Sequence, residues 1–375
     1  KTSFRIIYNE YRILIIGFLI LYTLRLITSL SMGLMPQDAY YYFYSEHLAL
    51  SYFDHPPMVA YMLKGFTAIL GKSALAIKFT DFAVSLAAFL LFYKLALRFL
   101  SQKRAVLAAL FYGSTLQLTL LSINTTPDVP LLLFYTLSLL MIHKALTENK
   151  IYQWLLAGIL IGLTFDSKYT AILLFAGLGL FLLFSNKHRK HLFSIRFLLC
   201  LVGFALAISP IVYWNISNDW ISFRFQAAER ASNISEFKLQ PRFVGGLIGS
   251  QMALLTPIYF IFSFVILFKL LKKIVKKRKL LSTSLNFLLL FTLPFIFLFY
   301  PISLIYLVKM NWLLPCYITL SIILGMYVSK KLIGVQLIIS GVIHVAVLIQ
   351  IFFYPINIKS DDTWYGWDQL VENVE

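Results

Sequence analysis

Long apolar runs separated by short charged gaps leave this chain few folds. Eleven candidates stand at 11–30, 80–99, 105–122, 129–146, 152–166, 169–184, 197–214, 243–268, 284–306, 312–328 and 332–353. A helix that crosses a bilayer needs about 20 apolar residues, or fewer where a sunken loop meets it. Only 13% of residues are charged and the mean hydropathy is +0.80, against the roughly 25% charged residues of a soluble domain. The pattern predicts an all-α integral membrane protein of about 11 transmembrane helices. Cys200 and Cys316 sit inside apolar runs, so neither a disulfide framework nor a cysteine metal site is implied. Lys1, Arg5 and Arg12 precede an apolar run that lacks a small-residue cleavage site. That run reads as a retained first span on a chain whose start has been trimmed.

The net charge of +17 would suit nucleic acid, but the basic residues cluster in the gaps between runs. With the N-terminus inside and the sides alternating, the inner segments hold 22 of the 33 Lys and Arg, and of the 16 acids only Glu10 and Glu148. That asymmetry obeys the positive-inside rule. It also divides 154–184 into two short spans joined at Asp166-Ser167-Lys168, because a single span would turn Lys187-His188-Arg189-Lys190 outward. The sizeable outer segments are 31–79, 215–242 and 354 onward. Tyr41, Phe43, Tyr44 and Leu48 recur at near-helical spacing in the first, as in helices lying along the interface. One membrane domain over 1–355 is expected. Residues 356–375 turn polar abruptly, as at the start of a C-terminal extracytoplasmic domain.

Ionisable groups in or near a membrane are costly and mark function by default. Asp38, in Met35-Pro36-Gln37-Asp38-Ala39-Tyr40-Tyr41, reads either as a helix-capping carboxylate or as a general base beside an aromatic cluster. Asp54 and His55 are fixed by Pro56 and Pro57 at a helix start. Asp128 either caps the fourth span or touches ligand. Lys168 either neutralises Asp166 or meets a lipid phosphate. Arg224 and Arg230, in the segment with Gln226, are good phosphate partners or snorkelling side chains, and Arg25 near the outer end of the first span is similar. Lys309-Met310-Asn311-Trp312 reads as an aromatic-belt anchor. There is no phosphate-cradling glycine loop, His-Glu-x-x-His pair or Gly-x-Ser-x-Gly elbow, which argues against a nucleotide-sugar site and a hydrolase triad.

Gln37-Asp38-Ala39-Tyr40-Tyr41, Tyr52-Phe53-Asp54-His55-Pro56-Pro57, Pro127-Asp128 and Ser167-Lys168-Tyr169, in that order, resemble the bacterial C-type (GT-C) glycosyltransferases. The protein O-mannosyltransferases and lipid A aminoarabinose transferases are the nearest in style. The likeness continues through Ser222-Phe223-Arg224-Phe225-Gln226 and Asn311-Trp312 to Tyr365-Gly366-Trp367. It implies the GT-C fold and an inverting glycosyltransferase with a polyprenyl-phosphate sugar as donor. The acceptor would be a hydroxyl or phosphate on lipid A, a glycan or a protein. The site would face the periplasm of a bacterial inner membrane, with the N-terminus cytoplasmic.

Under that resemblance Asp38 is the catalytic base. Tyr41, Asp54, His55, Asp128, Lys168, Arg224, Gln226, Arg230 and Arg25 are the candidate substrate-binding residues. Asp54 orients the sugar or, with His55, holds a divalent metal ion. Two departures stand out. Gln37 replaces the first acid of the family's pair, and Asp54-His55 replaces Glu-Lys, so phosphate binding can pass from His55 to Lys168 or an arginine. Rival readings are a transporter or flippase of lipid-linked sugars and a subunit that has lost catalysis. Charges gathered at one face, without related halves, count against transport.

Overall fold

The computed structural model describes residues 2–31, 33–226, 238–277 and 281–356. Among them the regular structure is helical, with no strand. This suits a chain in lipid, where every backbone amide must be bonded within its own segment. The helices are α1 (Thr2–Ser31), α2 (Pro36–Glu46), α3 (Met58–Leu70), α4 (Ala74–Ala96), α5 (Gln102–Gly113), α6 (Leu116–Ile123), α7 (Asp128–Glu148) and α8 (Ile151–Phe165). They continue with α9 (Leu173–Phe184), α10 (Ile195–Ser217), α11 (Pro241–Leu255), α12 (Pro257–Lys277), α13 (Thr283–Ile302), α14 (Cys316–Gly325) and α15 (Lys330–Phe353). Six of these are long and apolar enough to cross a membrane, and two further pairs are bent. Four shorter helices are also apolar, and α2 stands apart from these groups.

Two of the expected straight spans are broken. Run 105–122 divides into α5 and α6, which meet at 64°. Ser114 and Thr115 cause the break by returning their hydroxyls to the carbonyls of Phe111 and Tyr112 at 2.9 and 2.8 Å, in competition with the helix ladder. The freed carbonyls are taken up across the bundle: Arg25 of α1 donates to Thr115 O at 2.8 Å, and Ser340 of α15 donates to Ser114 O. Run 243–268 divides into α11 and α12 at 112°. There Thr256 adopts φ +75° ahead of Pro257, and its hydroxyl donates to Gln336 at 2.5 Å. Within the first outer segment α3 is an apolar helix, which the sequence reading had left unassigned.

One end of the bundle is tied by Glu10 of α1, which meets Lys103 of α5 at 2.7 Å and Lys330 of α15 at 2.9 Å. These three residues fall on the side that the charge pattern grouped together. Helices α8 and α10 touch backbone to backbone: a Cβ on Gly158 would stand 1.9 Å from Cys200 O, and one on Gly203 2.3 Å from Leu155 O. Small residues allow such approach where lipid supplies no hydrophobic drive between helices.

Gly158→Val and Gly203→Val are each expected to part these two helices, at a cost of ~3 kcal/mol, the upper end for overpacking, because the clash is with backbone. Thermal unfolding of the purified protein should show midpoints lowered by several degrees. Gly179→Ala, where a Cβ meets nothing within 4 Å, should leave the midpoint in place.

Candidate active site

Asp38 occupies the first turn of α2, behind Pro36, and both sequence readings of it become concrete here. Its Oδ2 accepts the Met35 backbone N–H at 2.7 Å, which caps the helix. The same oxygen accepts from Lys78 of α4 at 2.5 Å, and Oδ1 accepts the Thr125 backbone N–H at 2.8 Å. Lys78 also donates to Ile123 O at 2.6 Å, and Asp81 accepts the Thr125 hydroxyl at 2.6 Å. Asp38, Lys78, Asp81 and Thr125 are all at most 1% exposed. The knot joins α2 and α4 to the loop between α6 and α7.

Beside it opens a cavity of about 670 Å³. Tyr41, His55, Asp128, Lys168 and Asn311 stand on its wall, with Leu120, Leu121, Leu254, Leu307 and Leu314 making much of the apolar part. A polar recess of about 70 Å³ adjoins it, bounded by His55, Lys168, Thr170, Gln226 and Lys309 among others. Asp128, the first residue of α7, accepts from Lys168 Nζ at 2.8 and 3.0 Å and from Asn311 Nδ2 at 2.6 Å. The tip of the α8–α9 hairpin and the helical turn Met310–Leu313 therefore converge on one carboxylate. Burial first, and then the charges of Asp54 and Asp128, push the Tyr41 hydroxyl above its ordinary value, so it remains a donor.

Several expected site residues are placed elsewhere. Asp38 does not line the cavity; the carboxylate on the wall is Asp128. Lys168 pairs with Asp128 and not with its sequence neighbour Asp166. Arg25 lies inside the bundle, donating to Thr119 Oγ1 at 2.7 Å and to Thr115 O, and borders neither cavity nor recess. The reason is the broken helix, whose free carbonyl draws the guanidinium inward. Arg224 is exposed and borders neither space, whereas Gln226 reaches the recess and donates to Asp54 O at 2.5 Å. Arg230, and with it residues 357–375, lies outside the described residues. Asp54 accepts the Tyr44 hydroxyl at 2.7 Å and stands 3.9 Å from His55. Among the described residues no three His, Cys, Asp or Glu side chains group to hold a metal.

Lys78, Asp81 and Asn311 are the additions. Lys78 and Asp81 are three residues apart in an apolar stretch, a signal that intramembrane charge rarity makes available. Lys78 precedes the apolar run 80–99 by two residues, yet the helix begins at Ala74 and contains it. Asn311 was visible only as a neighbour of Trp312.

Comparison with known proteins bears on the fold and the class of protein. Residues 54–214 match the family model described as dolichyl-phosphate-mannose-protein mannosyltransferase. Lipid A galacturonosyltransferase RgtD of Rhizobium johnstonii is 26% identical over 225 residues, which are 60% of this chain and 46% of that protein. ArnT of Cupriavidus metallidurans, solved in the apo state and bound to undecaprenyl phosphate, aligns with TM-scores of 0.68 and 0.67 at 14% and 13% identity. Those alignments cover 94% of this chain and 66% of ArnT. An oligosaccharyltransferase of Archaeoglobus fulgidus aligns at a TM-score of 0.52 and 18% identity over 89% of this chain and 51% of that one. The chain thus spans about half the length of its curated relative. It is a multi-pass membrane protein with the GT-C fold. Within that fold, residues 54–214 are similar to the protein mannosyltransferases, and the described chain is similar in fold to ArnT.

Asp166 at the hairpin tip provides a pH test of this region. Burial raises its pKa from 3.8 to about 7, so the folded state disfavours the ionised form. The destabilisation is absent below about pH 4, grows as pH rises toward 7 and is complete above it. Asp166→Asn is expected to leave the thermal midpoint unchanged near pH 4 and to raise it at pH 8. Equal midpoints at both pH values would show that this carboxyl is not so buried.

Proposed function

We propose that this chain transfers a sugar, with inversion at the anomeric carbon, from a polyprenyl-phosphate donor to a hydroxyl or phosphate acceptor. Lipid A is the acceptor class that the name of the curated relative supplies, and undecaprenyl phosphate is the lipid bound in one ArnT structure. The reaction is assigned to the non-cytoplasmic face of a bacterial inner membrane, because the basic gaps mark the opposite side as cytoplasmic. The observation that carries the reading is the pairing of a leucine-walled cavity with a recess bounded by His55, Lys168 and Lys309. A lipid tail needs the first and a phosphate needs the second.

The chemistry follows from those groups. The acceptor oxygen forms a bond to the anomeric carbon while the bond from that carbon to the phosphate oxygen breaks. The electron pair stays on the lipid phosphate, whose charge Lys168 and Lys309 stabilise, with His55 beside them in the recess. Asp128, on the wall, takes the acceptor proton. A carboxylate suffices because little proton transfer is needed before the leaving group has departed. Asp38 acts through position: it anchors the loop that carries Asp128.

Turnover is read as free polyprenyl phosphate released from a polyprenyl-phosphate sugar. Asp128→Asn is expected to lower kcat by about 10²–10⁴ with a donor KM within a few-fold. Lys168→Met should lower kcat/KM by about 10²–10³. Asp38→Asn should lower both turnover and the thermal midpoint. If instead Asp38→Asn abolishes turnover with an unchanged midpoint while Asp128→Asn stays active, the base is Asp38.

A further inference from the structure

The charges on the cavity wall are unevenly placed. Among the described residues they are His55, Asp128, Lys168 and Lys309. Three of the four border the recess, and the fourth, Asp128, is paired with one of them. Elsewhere the polar wall is neutral: Gln37, Gln117, Asn124 and Thr126 line the cavity and none borders the recess. Each of these four carries a buried side-chain oxygen with no hydrogen-bond partner among the described residues: Gln37 Oε1, Gln117 Oε1, Asn124 Oδ1 and Thr126 Oγ1. Buried polar atoms are nearly always bonded, so these four oxygens take a partner from whatever fills the cavity, water or the hydroxyls of a ligand. The acid behind Gln37 is no substitute for a wall charge, since three donors occupy Asp38.

We propose that the sugar taken here is a neutral, polyhydroxylated hexose, and that Gln37, Asn124, Thr126 and Gln117 bind its hydroxyls. This rests on the donor-lipid reading above and goes further by fixing the sugar class. An amide both accepts and donates, and the Thr hydroxyl does the same, so this set matches hydroxyls that do both. Once the phosphate has engaged the cations of the recess, a carboxylate on the sugar finds no partner charge on the neutral wall. An ammonium fares no better there, because none of Gln37, Gln117, Asn124 and Thr126 carries a charge to meet it. An unpaired charge against a wall of neutral, partly buried groups is disfavoured more than a hydroxyl. Sites built to hydrogen-bond hydroxyls also reject analogues that lack them.

The test measures binding to the full chain in detergent micelles, by competition against a fluorescent polyprenyl phosphate. The competitors are polyprenyl phosphate alone and its conjugates with mannose, glucose, galacturonic acid and 4-aminoarabinose. The neutral hexose conjugates are expected to bind at least tenfold tighter than bare polyprenyl phosphate, and the two charged conjugates no tighter than it. Gln37→Leu and Asn124→Leu should each weaken the hexose conjugates by roughly tenfold, the size of one lost hydrogen bond, while bare lipid phosphate binds within twofold of the parent chain. Hexose conjugates that bind no better than bare lipid phosphate, or a charged conjugate that binds best, would overturn the sugar assignment and leave the donor-lipid reading standing. Failure of polyprenyl phosphate itself to bind would remove that reading, and the sugar assignment with it.

Discussion

The contact between Asp38 and Lys78 governs the rest of the site. An ion pair taken out of water contributes little net stability, because desolvation offsets most of the attraction. It is nevertheless a strong constraint on geometry. With one partner removed, the other is left as a buried charge, a loss of about 3–5 kcal/mol. Here the constraint reaches further than two residues. Lys78 also holds Ile123 O, and Asp38 also holds the amides of Met35 and Thr125. The end of α6, the start of α2 and the N-terminal part of α4 cannot move independently. Asp128 begins three residues beyond Thr125, so its place on the cavity wall descends from that knot.

The same physics acts deeper in the bundle. The bend between α5 and α6 frees carbonyls in a region where water is scarce, and each must find a donor. Arg25 and Ser340 supply them, and His344 joins by bonding Thr119 Oγ1 at 2.5 Å. A residue that looks like a phosphate ligand by its position near a helix end is thereby committed to holding a broken span. The bend also shortens α6, so that Gln117 and Asn124 arrive at the cavity instead of lying along a continuous helix.

How far the sequence led depended on the range of the interaction concerned. Apolar run length and the placing of Lys and Arg are local signals, and they led to the helical membrane fold and to the hairpin that carries Lys168. Pro36 with Asp38 and Pro127 with Asp128 marked two helix starts, because capping is decided within one turn. The breaks at Ser114-Thr115 and Thr256-Pro257 were harder to see, since Ser, Thr and Pro are tolerated in many straight spans when neighbours satisfy the freed carbonyls. Which carboxylate faces the cavity is a tertiary matter. Asp38 and Asp128 carry similar local signals, and only the partners contributed by α4, the hairpin tip and the Met310–Leu313 turn separate them. Lys168 paired with Asp128, 40 residues away, and not with Asp166, two residues away. Nothing in the spacing distinguishes those choices.

The Asp128–Lys168 pair also explains why the two ends of the cavity differ. The ammonium satisfies the carboxylate, so neither buried charge stands alone. Under the proposed reaction a phosphate in the recess competes for Lys168, and the more of the ammonium it takes, the less Asp128 is neutralised. The carboxylate is then released from the ammonium at the moment a donor is in place. Asn311 keeps Asp128 oriented throughout, because its amide bonds the carboxylate at 2.6 Å without contributing charge. A second fixed cation near Asp128 would defeat this exchange, and so would a second carboxylate beside Lys168. The neutral wall of Gln37, Asn124 and Thr126 follows from the same requirement: the charge that changes hands has to be the only unsettled charge at the reacting end.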